Sequence, residues 1–171
     1  MARMFVAVWP PPEVIATLAE LREPGEEGLR WTPSTNWHVT LRFLGEVGDD
    51  EVPALCHALE GAVTGELPCH AALGPATVRL GRAVLIVPVA GLDPLGAAVT
   101  DATGGFGQPS EDRPFVAHLT VARGRAGLPV PRRLAGRLVE GAWDVNEVTL
   151  VRSRLGRGGS TYEVVFTAAG S

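Results

Sequence analysis

The sequence predicts an α+β fold of two lobes related by a pseudo-twofold axis, with helices outside and a groove between the lobes. Two observations favour this class. The pattern His-x-Thr-x occurs twice, as His38-Val39-Thr40-Leu41 and His118-Leu119-Thr120-Val121, with the two histidines 80 positions apart. Strand and helix patterns also mix along the chain without strict βαβ alternation, which favours antiparallel or mixed sheets over a parallel sheet.

The first half of the chain reads as strand, helix, strand, helix. Residues 3–9 form an apolar strand that stops at three prolines. Apolar residues at helical spacing over 14–21 predict a helix, which ends at Glu23-Pro24-Gly25. The first motif strand follows, and then acidic residues at 49–51 open a second helix whose apolar face continues to Val63.

The second half repeats this mixture of elements. Strands are predicted over 76–80 and 84–89, followed by a helix with Asp93 as N-cap and Pro94 at its first position. A loop over 104–114 leads into the second motif strand. The remaining predicted elements are a short helix over Arg132–Leu138, a strand over 147–152, a glycine-rich turn over 156–159 and a strand over 162–167.

The two motifs have the pattern of half-buried strands. Successive side chains of a strand point to opposite faces, so each histidine shares a face with its threonine. The intervening apolar residues then face the core. Two such strands side by side present two imidazoles and two hydroxyls across a groove, which suits acid-base chemistry on an anion.

Length and composition limit the possible classes of protein. The chain has 171 residues, of which 46% are hydrophobic, enough for one domain over residues 1–171. Its longest apolar stretch, residues 83–90, is far shorter than a membrane-spanning helix, and no signal peptide is seen. We therefore expect a cytoplasmic, monomeric protein that does not bind membranes. Cys56 and Cys69 match no metal-ligand spacing and are expected to be reduced core residues.

The basic residues are informative by type and by position. All 15 are arginines. Without lysine, the chain cannot form a lysyl-nucleotide intermediate or a P-loop, which excludes ATP-dependent ligases and Walker-type NTPases. Net charge is −4, but residues 113–157 carry nine arginines against three acids. A local arginine concentration in an acidic protein suits a compact anion or the end of a nucleic acid.

Several segments resemble a known family. Residues 4–10, 36–47 and 114–123, together with the last strands, closely resemble the RNA 2′,3′-cyclic phosphodiesterases, also called LigT-like 2′-5′ RNA ligases. This family belongs to the two-histidine phosphoesterase superfamily. The paired His-x-Thr motif alone is typical of the superfamily, and the flanking Arg-Phe-Leu-Gly-Glu-Val and Pro-Phe sequences narrow the resemblance to the family. The likeness covers nearly the whole chain, as one domain.

The resemblance implies metal-independent hydrolysis of a 2′,3′-cyclic phosphate at an RNA end or on a small cyclic nucleotide, leaving a 2′-phosphomonoester. It also implies that His38 is the proton donor and His118 the proton acceptor, with no cofactor. In-line displacement puts the attacking group and the leaving group on opposite sides of phosphorus, so one imidazole can transfer a proton on each side. His57 and His70 have no second ligand at metal spacing and are expected to be structural or surface residues.

The expected phosphate ligands are Thr40 and Thr120, whose hydroxyls can donate to the non-bridging oxygens. Two arginines are further candidates. Strand parity places Arg42 on the face of His38, whereas the family resemblance favours Arg123. Phe43 and Trp37 could stack on a base, although we expect both in the core.

Two other functions remain open at this stage. The groove could be a nucleotide-binding module in which both histidines only bind phosphate. The protein could also join RNA through a 2′-5′ linkage by the reverse reaction, from a cyclic end and a 5′-hydroxyl. Hydrolysis should dominate in water.

Overall fold

The computed structural model describes residues 2–171. Within this range the chain forms ten strands: β1 Ala2–Val8, β2 Leu29–Trp31, β3 Val39–Val47, β4 Cys69–Leu73, β5 Val78–Leu80, β6 Val84–Ala90, β7 His118–Gly124, β8 Gly141–Val145, β9 Glu147–Gly156 and β10 Gly159–Ala169. It also forms three α-helices: α1 Pro12–Ala19, α2 Val52–Val63 and α3 Asp93–Ala102. None of these helices is long and apolar enough to cross a membrane.

The strands form one sheet in the order β10-β9-β1-β3-β7-β6-β4-β8, with β2 added to β7 and β5 added to β6. Every strand pair between residues 2 and 171 is antiparallel. Two half-sheets meet where β3 pairs with β7, through the single facing pair Val39 and Leu119. The predicted α+β class is therefore confirmed, with antiparallel rather than mixed pairing.

The apolar faces of the motif strands form part of the core. The side chains between and after the motif histidines and threonines are at most 3% exposed: Val39, Leu41, Leu119 and Val121. Burying each contributes about 1.5–3 kcal/mol to folding. The helices contact the sheet and one another, with α1 on β8, α2 on β10, and α3 on both β3 and α2. Cys56 and Cys69 pack against this core as free thiols, as predicted.

Some predicted elements differ from the structure. The helix predicted over Arg132–Leu138 is wrong, because only Arg132–Leu134 form a single 3-10 turn. Gly136 adopts a φ of +82°, and its N–H donates to the carbonyl of Thr77 at 2.8 Å. That contact turns the chain away from a helical path. Asp93 is the first residue of α3 rather than its N-cap.

Candidate active site

The junction between the half-sheets brings the two motifs to one groove. Val39 and Leu119 face each other in the antiparallel ladder, and continuing that register sets each motif histidine opposite the threonine of the other motif. The groove has a volume of about 350 Å³ and is lined by all four of these side chains. The structure therefore brings together His38, Thr40, His118 and Thr120.

Each histidine is held by the backbone two residues before it. Nδ1 of His38 lies 2.7 Å from the carbonyl oxygen of Asn36, and Nδ1 of His118 lies 2.8 Å from that of Val116. A carbonyl oxygen can only accept, so Nδ1 carries the proton in both neutral rings. Nε2 is then the basic nitrogen. In His38 it accepts a hydrogen bond from the Thr40 hydroxyl at 3.0 Å.

A β-bulge interrupts β3 just after the first motif. Its pairing with β1 passes from Thr40 to Arg42 and leaves Leu41 as the extra residue. One extra residue exchanges the faces of the residues that follow. Arg42 is consequently only 5% exposed, and its Nη2 donates to the carbonyl of Gln108 at 3.0 Å. The prediction from parity that Arg42 faces the groove is therefore wrong.

The residue after Arg42 takes the groove position instead. Phe43 lines the groove and is 38% exposed, so the expectation that it packs in the core is also wrong. Trp37 does lie in the core, at 4% exposure.

The same irregularity occurs in β7. Its pairing with β6 passes from Thr120 to Ala122 and leaves Val121 as the extra residue. The alternation is again exchanged, so Arg123 lines the groove although it has the opposite parity to the second motif histidine. Arg123 thus occupies on β7 the position that Phe43 occupies on β3.

Aromatic rings enclose one of the two histidines. Ring centroids of Phe5, Trp9 and Tyr162 lie 4.8, 5.3 and 5.3 Å from that of His38. Burial lowers the pKa of the His38 imidazole, and the charge of His118 lowers it further, against the opposing effect of its backbone hydrogen bond. The free protein therefore favours the neutral form of His38.

These three aromatic residues were not predicted as part of the site. They come from β1, the end of β1 and β10, and only the strand order places them beside the first motif. The sequence offers one weak indication that Tyr162 belongs to the site, because it is the single tyrosine of the chain. Trp9 is fixed further by a hydrogen bond from its Nε1 to the hydroxyl of Thr149 at 2.8 Å.

The charge of the groove differs from that of the whole chain. Its lining contains two arginines, Arg3 and Arg123, and no carboxylate, although the net charge of the chain is −4. Neither guanidinium has a hydrogen-bonding or ion-pair partner anywhere in residues 2–171. Two unpaired cations beside two imidazoles favour the binding of an anion.

The other two histidines lie outside the groove, as predicted. His57 is paired with Glu60 on an exposed helix face at 3.6 Å, and His70 with Asp144 on the surface at 3.0 Å. Across residues 2–171, no three His, Cys, Asp or Glu side chains lie together in a way that could hold a metal ion.

Comparison with known proteins agrees with this arrangement. The sequence model of the family described as LigT like Phosphoesterase matches residues 8–74. The chain is 33% identical to the RNA 2′,3′-cyclic phosphodiesterase of Thermus thermophilus, over 95% of this chain and 87% of the relative. The crystal structure of TT0787 of Thermus thermophilus matches with a TM-score of 0.83 and 28% identity, covering 98% of this chain and 97% of that chain.

A second solved structure was obtained with a nucleotide. The crystal structure of E. coli LigT complexed with 3′-AMP matches with a TM-score of 0.76 and 27% identity, over 99% of this chain and 98% of that chain. The fold and these matches define the protein as a phosphoesterase. The chain belongs to the LigT-like phosphoesterase family.

Proposed function

We propose that the protein hydrolyses RNA 2′,3′-cyclic phosphate ends to 2′-phosphomonoesters, with His38 and His118 as acid and base. One observation carries this proposal: the backbone fixes both motif histidines through Nδ1 in a groove without carboxylates, which leaves Nε2 of each for proton transfer. The name of the Thermus thermophilus relative supports the same substrate class.

The proposed reaction is an in-line displacement at phosphorus. Nε2 of His118 takes a proton from water as the water oxygen bonds to phosphorus. The bond from phosphorus to O3′ breaks on the opposite side, and Nε2 of His38 gives O3′ its proton. The phosphate stays on O2′, and each histidine ends in the protonation state in which the other began.

Three further side chains would stabilise the negative charge that develops. The hydroxyls of Thr40 and Thr120 are within the groove and can donate to the non-bridging oxygens. Arg123 adds an unpaired cation to the lining of the same groove. The bound anion also favours the imidazolium form of His38, which offsets the burial that lowers its pKa in the free protein.

One observation favours a second candidate, transfer of the phosphate to an alcohol. A second cleft, of about 1060 Å³, is lined in part by His118, the base that would activate the attacking group. An alcohol such as an RNA 5′-hydroxyl could bind there in place of water, which gives a 2′-5′ linkage without any nucleotide cofactor. Incubating a cyclic-ended strand with a 5′-hydroxyl strand and assaying for a longer 2′-5′-linked product tests this candidate.

The hydrolase proposal is tested with an oligonucleotide that ends in a 2′,3′-cyclic phosphate. Purified protein should open the cycle in EDTA as fast as without it, and the product should carry its phosphate on the 2′ oxygen. Loss of activity in EDTA, restored by a divalent ion, would contradict the two-histidine mechanism. Binding of the oligonucleotide without turnover would identify a nucleotide-binding module instead.

A further inference from the structure

The groove extends beyond the two motifs along one face of the half-sheet β3-β1-β9. On this face Phe5 pairs with Phe43 of β3, and Arg3 pairs with Ser153 of β9. Arg3, Phe43, Ser153 and Leu155 line the same groove as the motif histidines. The proposed reaction at the cyclic phosphate uses none of these four residues.

Arg3 is the unpaired cation of this extension. Its guanidinium carbon lies 5.3 Å from the centre of the Phe43 ring, and within residues 2–171 the guanidinium makes neither a hydrogen bond nor an ion pair. It is also close to the reaction site. Phe5 lies 4.8 Å from the His38 ring, and Arg3 comes two residues from Phe5 on the same face, which is about 6.6 Å along a strand.

Two exposed apolar side chains flank Arg3. Phe43 is 38% exposed and Leu155 is 71% exposed, and both border the groove. An aromatic face next to an arginine is the combination that binds single-stranded nucleic acid, because the base stacks while the guanidinium contacts the backbone. Beyond Arg3, the lining of the adjoining cavity includes Glu46, Asp49, Arg152 and Arg154. Both of these arginines are already paired with the carboxylate of Glu163, at 3.7 and 3.8 Å.

We propose that Arg3, Phe43 and Leu155 bind the nucleotide that directly precedes the cyclic end, with Arg3 on its linking phosphate and Phe43 and Leu155 on its base. The inference rests on the proposed hydrolysis and extends it to substrate class. The protein then acts on RNA oligonucleotides in preference to free cyclic mononucleotides. The preference extends over one added nucleotide, because the two further arginines of the next cavity are already paired with Glu163.

The test compares kcat/KM for adenosine 2′,3′-cyclic phosphate with kcat/KM for the di- and trinucleotides that end in the same group. We expect the dinucleotide to exceed the mononucleotide by about tenfold or more, as for one hydrogen bond to a charged group. The trinucleotide should lie within about twofold of the dinucleotide. Arg3→Gln should reduce the preference for the dinucleotide to near unity, and Phe43→Ala should reduce it in part.

Arg82→Gln is the matched control, because it removes an exposed arginine that does not line the groove, and it should leave the preference unchanged. Salt gives a second readout. The slope of log kcat/KM against log salt should be steeper by about 0.7 for the dinucleotide, and Arg3→Gln should remove this difference.

The possible outcomes separate the two proposals. If the wild-type protein opens neither substrate, the proposed hydrolysis fails. If it opens both with equal kcat/KM, or if Arg3→Gln keeps the full preference, the nucleotide site is overturned while the hydrolysis stands. A further tenfold gain with the trinucleotide would overturn the limit of one added nucleotide.

Discussion

The ring of Phe115 lies against Gly96 of α3 with no room for a side chain between them. A β-carbon at Gly96 would fall 2.6 Å from Cε1 of Phe115, and two more ring atoms lie within 2.9 Å. Phe115 directly precedes Val116, whose carbonyl holds Nδ1 of His118. The contact between helix and ring therefore fixes the segment that orients the second motif histidine.

Gly96→Ala should lower kcat/KM by about tenfold, because overpacking at this level forces neighbouring groups to shift. The displaced ring would carry the Val116 carbonyl with it. Adding Phe115→Leu to Gly96→Ala provides space and should restore most of the activity, measured on a cyclic-ended oligonucleotide. Phe115→Leu alone is the control. A double variant as slow as Gly96→Ala would show that the loss of activity does not arise from the contact between residue 96 and the Phe115 ring.

His38→Ala and His118→Ala should each lower kcat by about 10²–10⁴-fold, as expected for the loss of a general acid or base. Circular dichroism should show an intact fold, because neither ring belongs to the buried core. A substrate whose leaving group needs no proton separates the two roles. With it, His38→Ala should recover most of the lost rate and His118→Ala should not. Recovery by His118→Ala instead would exchange the donor and the acceptor.

Thr40→Val and Thr120→Val keep the branched shape and delete the hydroxyl. Each should weaken the binding of a 2′-phosphate product by about 1.5–3 kcal/mol, the usual contribution of a hydrogen bond to a charged group. Calorimetric titration with a 2′-nucleotide measures the change. Serine at either position retains the hydroxyl and serves as the control. Wild-type affinity in both valine variants would exclude these hydroxyls as phosphate donors.

The two arginines should behave differently. Arg123→Gln should weaken 2′-phosphate binding about tenfold or more. Arg42→Met should leave that affinity within about twofold and lower the free energy of unfolding by about 1–2 kcal/mol, because the Gln108 carbonyl loses its donor. Titration and urea unfolding provide the two measurements. If Arg42→Met weakened 2′-phosphate binding and Arg123→Gln did not, Arg42 rather than Arg123 would be the arginine that contacts the phosphate.

The pH dependence follows from the burial of His38. Its pKa lies below the ordinary value of about 6.5, and a donor is active only when protonated. The alkaline limb of kcat/KM, which reports the free enzyme, should therefore lie below that value, with the limb of kcat at higher pH because bound phosphate favours the imidazolium.

Trp9→Ala should expose His38 to water, raise its pKa and move the alkaline limb upward. Trp9→Phe keeps an apolar cover and should move the limb less. Two coupled histidines give macroscopic limbs, but the variant identifies the limb that belongs to His38. A shift of the acidic limb instead would make His38 the acceptor.

Local pattern was sufficient to predict both motif strands and their apolar faces. Alternation alone fixed the core positions of Val39 and Leu119, and the repeat indicated that the two strands meet. The sequence did not reveal the bulges at Leu41 and Val121, because an extra residue is visible only against the partner strand. For that reason Arg42 was expected in the groove, whereas the family resemblance favoured Arg123 as the ligand contact, and Arg123 lines the groove.

The aromatic surroundings of His38 depend on strand order. Phe5 and Tyr162 are distant in sequence and meet because β1 lies between β3 and β9, with β10 beside β9. Periodicity gives the faces of each strand but not its neighbours. Only the fold therefore explains why the pKa of His38 is lowered by burial.

The matching bulges make the two sides of the groove chemically different from each other. The two motifs each place one imidazole and one hydroxyl in the groove, but aromatic rings enclose His38. The bulges add a second difference three residues after each threonine, where one half presents the ring of Phe43 and the other the guanidinium of Arg123. We therefore expect a ligand with a flat base at one end and a charged group at the other to bind in this groove in one orientation.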